Sequence, residues 1–203
     1  MKPMVTIDTN CLIAVEEKRA EADAISQLME SHREGQILLQ IVAIAASENQ
    51  PSGTSNPRFS EFQNRLKRID MDGIRVLKPI AHWGVTYWDW ALWSDAKMLK
   101  LEQDIHNILF PAQPFGQEEF IARERERVGE TVGAPRIESK WRNHLCDVLT
   151  IWGHIWYGGN FFVTSDGNFH KVTKKAQLVA LGAGQIVRPL EMAAMIWPNQ
   201  DLC

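Results

Sequence analysis

Twice in this chain a short apolar run ends in a carboxylate at the point where an extended segment gives way to a turn or helix. The first is Val5-Thr6-Ile7-Asp8-Thr9-Asn10 and the second is Phe162-Val163-Thr164-Ser165-Asp166-Gly167-Asn168-Phe169. Two more acids stand in related settings. Glu48 lies in Ala45-Ala46-Ser47-Glu48-Asn49, just after a long apolar run, and Asp147 lies in His144-Leu145-Cys146-Asp147, inside a helical pattern. Short branched runs alternating with helical periods imply an α/β fold with a mostly parallel sheet. An open sheet of that kind gathers its functional residues at the carboxyl ends of its strands. Four acids scattered in sequence therefore converge in space.

The pattern along the chain fills in this frame. Residues 4–7 read as a buried strand, followed by a helical segment carrying Leu12, Ile13 and Val15. A second helix is expected over residues 20–31, broken by Gly35, and a buried strand over 36–44. Another helix is expected to begin near Ser47 and Glu48. The Pro/Ser/Gly-rich stretch 51–57 is a loop. A basic amphipathic segment covers 59–69, and a short strand covers 75–77. Residues 81–135 are polar, aromatic and Pro/Gly-punctuated, and are helical at 94–109 and 117–127. A long helix follows over 138–157, ended by Gly158 and Gly159, since glycine commonly terminates helices. A strand at 160–164, a helix at 171–181, a strand at 185–188 and a terminal helix at 189–195 complete the chain. The whole reads as one domain over 1–203 with a largely helical insertion at 50–135.

Composition excludes several classes. With 203 residues, 45% hydrophobic and 23% charged, the chain is long enough for a full globular core. No apolar run reaches the roughly 18 residues of a membrane span. Met1-Lys2-Pro3-Met4 leads straight into the first strand, which leaves no room for a signal peptide. Three cysteines are an odd number and suit a reducing cytoplasm better than a disulfide framework. Cys11 and Cys146, in apolar helical patterns, read as small core residues. The net charge of −3 argues against a broad nucleic-acid footprint but leaves room for local basic patches.

Clustered carboxylates without a basic partner are costly, and a divalent cation is the usual remedy. Magnesium suits hard oxygen ligands that leave it several waters. Such a site polarises a phosphate oxygen and activates a water for in-line attack on phosphorus. Asn10, Thr164, Ser165 and Asn168 are placed to orient the carboxylates and waters. On the long helix His144, Asp147, Ile151 and His154 share one face, which is expected to address the site. Each acid also has a plainer reading. An Asp after a strand commonly caps a helix, and Glu48 could be a first-turn residue favoured by the helix dipole. Asp147, between Leu145 and Val148, is harder to dismiss, because a buried carboxylate needs a partner.

The opening hydrophobic-Asp-Thr-Asn, the Glu after the second strand, the helical Asp and the late Thr-Ser-Asp-Gly-Asn-Phe together resemble a PIN-domain ribonuclease. The resemblance covers residues 1–49 and 138–190. It implies a three-layer α/β/α sandwich and Mg2+- or Mn2+-dependent cleavage of single-stranded RNA. It also implies that Asp8, Glu48, Asp147 and Asp166 form a catalytic, metal-binding quartet. Many bacterial members are toxins paired with an antitoxin, so an antitoxin partner is a further implication. The chain departs from the family pattern at Asn168, where a second Asp is frequent, and in the length of its insertion. A haloacid-dehalogenase-like phosphatase also opens on a strand-end Asp, but it requires another Asp where this chain has Asn10. The competing functional reading is a catalytically inert PIN-like module that binds RNA or protein.

Basic residues near these motifs are candidates for RNA phosphate contacts: His170, Lys171, Lys174 and Lys175 beyond Asp166, and Arg65, Lys67 and Arg68 in the amphipathic segment. The aromatic stretch Trp83, Tyr87, Trp88, Trp90 and Trp93 reads first as packing of the insertion against the core or a partner. Stacking on unpaired bases and a homodimer interface are its alternatives.

Overall fold

The structure is a computed structural model and describes residues 2–48, 58–128 and 134–197. Five parallel strands form one sheet in the order β3-β2-β1-β4-β5. They are β1 (Met4–Ile7), β2 (Leu38–Val42), β3 (Arg75–Leu77), β4 (Phe161–Val163) and β5 (Gln185–Val187). The helices are α1 (Thr9–Glu16), α2 (Ala22–Arg33), α3 (Phe59–Arg68), α4 (Ala96–Leu109), α5 (Gln117–Val128), α6 (Ala134–Trp156), α7 (Val172–Leu178) and α8 (Pro189–Ile196).

Period-two alternation along the strands sorts the helices into two layers. Val5, Ile7, Leu39, Ile41, Val163 and Val187 bury one sheet face against α1, α2, α3 and α8. Val42, Leu77, Phe162 and Ile186 bury the other face against α4, α6 and α7. The result is an α/β/α sandwich, as expected for a parallel sheet covered on both sides. Cys11 and Cys146 are fully buried in these two cores.

The span 50–135 enters this architecture directly. Its β3 is the edge strand of the central sheet, and Phe59, Phe62 and Leu66 of α3 lie in the core with β1 and β2. Helices α4 and α5 both pack on α6. One boundary differs from the sequence reading: β2 ends at Val42, short of the expected 44. After β2 the chain winds into a tight buried turn at Ala43–Ala46 that contacts α6, and Glu48 follows that turn; the helix expected to begin near Ser47 and Glu48 would run into residues outside the described ones. The expected loop at 51–57 lies outside the described residues.

One polar contact system crosses the sheet. Gln40 Nε2 donates to Thr6 Oγ1 at 2.9 Å, and Thr6 Oγ1 stands 2.8 Å from His154 Nδ1. His154 Nε2 lies 2.8 Å from the Ala183 carbonyl. That carbonyl can only accept, so Nε2 carries the proton and Nδ1 accepts from the threonine. Burial holds the ring's pKa at about 4, so it stays neutral at ordinary pH. His154 is thus a structural tie between α6 and the sheet and does not address the acids.

Candidate functional site

The strand order reverses between β1 and β4, with β2 and β3 laid outward on one side and β5 on the other. Ligands of open parallel sheets bind in the crevice at such a switch point. Asp8 follows β1 and Asp166 stands just beyond β4, so the two acids flank that crevice. The register is locked there by Asp8 N donating to Val163 O at 3.0 Å.

Asp8 caps α1, with Oδ1 accepting from Thr9 N at 2.7 Å. Its Oδ2 accepts from Asn10 Nδ2 at 2.6 Å and from Thr164 Oγ1 at 2.7 Å. Thr164 Oγ1 in turn accepts from Asn10 Nδ2 at 2.9 Å and from Asp166 N at 3.0 Å. Asn10 Oδ1 takes Ser165 N at 3.1 Å, and Asp166 Oδ1 takes Asn168 N at 2.8 Å. The cap and the site reading therefore describe the same residue. One oxygen of Asp8 closes the helix while the other joins a polar web spanning the crevice. Asn10, Thr164, Ser165 and Asn168 all lie in that web.

The four acids share one electrostatic field. Burial, then the charge of Glu48, raises Asp8 to about 7, with a smaller contribution from Asp166. Burial raises Glu48, and Asp166 adds to it. Asp147 on α6 is pushed well above the ordinary range by burial and then by Asp8, Glu48 and Asp166. Such influence outreaches a coordination bond. Among the described residues, no three His, Cys, Asp or Glu side chains close on one ion-sized point.

Arg65 and Lys174 are already engaged. Arg65 grips Glu16 with two bonds, at 2.6 and 2.7 Å, although its charge still eases Glu48. Lys174 donates to Asn168 Oδ1 at 2.6 Å and to the Leu109 carbonyl, tying α7 to α4 beside the crevice. Thr9 Oγ1 is buried without a well-formed hydrogen bond among the described residues. It nonetheless lies near enough to Glu48 to favour that carboxylate's charged form. Four acids and the Thr9 hydroxyl, with no salt bridge to any of the four among the described residues, form a donor set suited to a hard divalent cation.

The other candidates divide. Arg65 is corrected: its side chain is 3% exposed and committed to Glu16, so it offers nothing to RNA. A buried guanidinium without that partner would be strongly destabilising. Lys67 and Arg68 are exposed at the end of α3, and Lys171 is exposed at the start of α7. Lys174 and Lys175 are half-buried, and His170 Nε2 is 2.8 Å from the Thr164 carbonyl. His144 does not face the acids either. It stacks on Phe110 with centroids 4.0 Å apart and meets Phe120 edge-on. The clamps Arg65–Glu16 and Lys174–Leu109 had no periodic signal in the sequence, because each joins groups that only the tertiary fold brings together.

The aromatic stretch splits in two. Trp90 stacks on Phe59 at 4.1 Å and Tyr87 meets the same ring edge-on, so both pack on the core. Trp83, Trp88 and Trp93 stand 90%, 68% and 77% exposed.

No protein-family profile matches the chain, and no curated protein matches it. Among solved structures it is similar to VapBC2 from Rickettsia felis, bound to a DNA fragment from their promoter. That match has 13% sequence identity and a TM-score of 0.43, covering 91% of this chain and 98% of the other. Among the described residues no helix is long and apolar enough to cross a membrane.

Proposed function

We propose that this chain is a metal-dependent endoribonuclease that hydrolyses phosphodiester bonds of single-stranded RNA. The observation that carries the reading is the mutual field of Asp8, Glu48, Asp147 and Asp166 at the sheet's switch point, where Asp8 is raised to about 7. Carboxylates held together at that cost suit a cation-binding role better than helix capping alone. Mg2+ or Mn2+ held by these four residues would polarise a phosphate oxygen and make a bound water acidic enough to attack. Thr164, Asn10 and the backbone N–H groups of Thr9 and Asn168 fix the carboxylate orientations. The exposed Lys171, which opens α7 shortly after Asp166 in sequence, gives a backbone phosphate a counter-charge. A toxin role with an antitoxin partner belongs to the same reading through the PIN resemblance of the motifs, while a homodimer rests on the exposed aromatic patch and a cytoplasmic setting on the cysteine usage.

The test is cleavage of a mixed-sequence single-stranded RNA with Mg2+ or Mn2+ against excess EDTA. Asp8→Asn and Asp166→Asn proteins run in parallel. Metal-dependent cutting lost in both variants supports the proposal. One observation favours the inert RNA- or protein-binding module, namely that no three candidate ligands among the described residues close on a single point. Absence of both cutting and Mn2+ binding in wild-type protein would establish that second reading.

A further inference from the structure

Three tryptophans stand almost clear of the protein surface on one short segment. Trp83 and Trp88 have ring centroids 6.2 Å apart at 87°, and Trp88 and Trp93 are 5.2 Å apart at 88°. Together with Ala81, His82, Gly84, Thr86 and Ala91 they line a groove of about 560 Å³. That volume lies in the range of small-molecule and nucleobase sites. Indoles are usually well buried, so three exposed ones in mutual contact call for an occupant.

The segment is firmly held. Ala81 N donates to Leu92 O and Leu92 N to Pro79 O, both at 2.8 Å. His82 N donates to Thr86 Oγ1 at 2.9 Å. Its inner side is pinned to the candidate site: Ser47 Oγ donates to Val85 O at 2.5 Å, and Tyr87 Oη donates to Ala46 O at 3.3 Å. Ser47 immediately precedes Glu48. From α6, Arg142 donates to Gly84 O at 3.0 Å, and its charge is felt both at Tyr87 and at Cys146, beside Asp147. The guanidinium therefore ties the indole-bearing segment, at a residue lining the groove, to the helix that carries Asp147. Lys78 adds a second cation at the segment's root, 5.9 Å from the Trp90 ring centre. Asp89 is the exposed acid within the segment.

We propose that Trp83, Trp88 and Trp93 form a stacking site for unpaired bases of the RNA strand whose backbone occupies the acidic crevice, with Arg142 contacting the phosphate between them. The inference rests on the ribonuclease reading for its ligand. Charge and shape select the occupant. Arg142, bonded to Gly84 in the groove lining, and Lys78, over the Trp90 ring, supply cations beside the indoles that suit an anionic backbone. The two perpendicular junctions leave no common plane for a flat protein surface, but the high exposure of the three indoles leaves ring faces open to solvent. Planar bases stack on such faces with little regard for sequence.

The test uses the full chain in EDTA, so that binding is read without cleavage. The probe is a fluorescein-labelled single-stranded RNA of about ten nucleotides. An abasic strand of equal length and a duplex serve as comparisons. Expected results are quenching of tryptophan emission by the single strand and weaker binding of both comparisons. Trp83→Ala, Trp88→Ala and Trp93→Ala together should lose roughly 5- to 100-fold in affinity, partly restored by the three Phe variants. With metal present, KM should rise in the Ala variant while kcat changes little. If that variant binds and cuts RNA like wild type, the stacking site is overturned and the nuclease reading stands. If wild type fails to cut but its emission is still quenched by the single strand, the stacking site stands and the nuclease reading falls. If sedimentation shows self-association that the Ala variant abolishes, with RNA binding unchanged, the patch is a contact between two copies and the proposal is overturned.

Discussion

Thr164 does more in the crevice than its neutral side chain suggests. Its hydroxyl donates to Asp8 Oδ2 while accepting from Asn10 Nδ2 and from the Asp166 backbone N–H. One oxygen thereby couples the acid after β1 to the acid after β4. Thr164→Val keeps the shape but removes all three bonds and takes the acceptor from the part-buried Asp166 N–H. Partners that orient metal ligands typically matter by 10–100-fold. Thr164→Val should lower both Mn2+ affinity and RNA cleavage by about that factor. Calorimetric titration and a cleavage assay on the same preparation check it, and unchanged metal affinity would remove Thr164 from the site. At this scale the sequence was informative about the acids, because each is flanked by residues that announce a strand end or a helix. It was misleading about Arg65. A cation on an amphipathic helix looks solvated until Glu16, which shares no periodicity with it, arrives from α1.

Helix α6 carries Asp147, and its seat on the sheet is fixed by a single missing side chain. A Cβ on Gly153 would lie 2.8 Å from Val42 Cγ2 and 3.0 Å from Cγ1, at the end of β2. Glycine in a helix interior costs about 1 kcal/mol against alanine in propensity. Here close helix–strand contact offsets that cost. Gly153→Ala should therefore destabilise by about 1–3 kcal/mol despite the better propensity, since the overpacked contact must shift backbone or rotamers. Cleavage should fall as well, because Asp147 moves with the helix. Val42→Ala opens the space, so the double variant should recover part of the loss. Urea unfolding of the four proteins gives the coupling, and strictly additive effects would mean the two sites do not touch. Sequence showed α6 by its spacing of Leu145, Val148, Leu149 and Trp152, yet Gly153 carried no mark separating a packing glycine from a tolerated one. The turn after β2 was hidden for a related reason. An apolar run does not say where it stops being strand, and here Ala43–Ala46 winds tightly under α6.

For the whole molecule, alternation of strand and helix was enough to give a mostly parallel sheet, and the motif resemblance added its covering on two sides. It did not give the order β3-β2-β1-β4-β5, because strand order depends on which edges pair and not on any one segment. That order gathers the raised carboxylates at one end of the sheet while the buried histidines lie elsewhere, and the two groups respond oppositely to pH. Asp8 has a folded pKa of about 7 against an ordinary 3.8, and Glu48 and Asp147 are raised too. The folded chain holds protons that the unfolded chain has already lost. This contribution is present below the ordinary value and is lost as pH rises toward about 7. His144 and His154 run the other way, held neutral down to about 4 against an ordinary 6.5. The unfolded chain takes up protons that they refuse, so stability falls as pH drops through that window. Glu124, held at about 2 by Arg127 and Lys140, contributes above its ordinary 4.5 and loses that contribution as pH falls toward 2. In EDTA the carboxylate and histidine contributions oppose one another between about pH 4 and pH 7, and stability should fall from about pH 6 to pH 8. A divalent cation binds the ionised carboxylates and so competes with their protons. With Mn2+ the carboxylate penalty disappears, and Tm should hold or rise over the same range. The gap between the two melting curves should widen with pH and shrink in Asp8→Asn. Parallel curves with and without Mn2+ would show that the four acids share a field but not a metal.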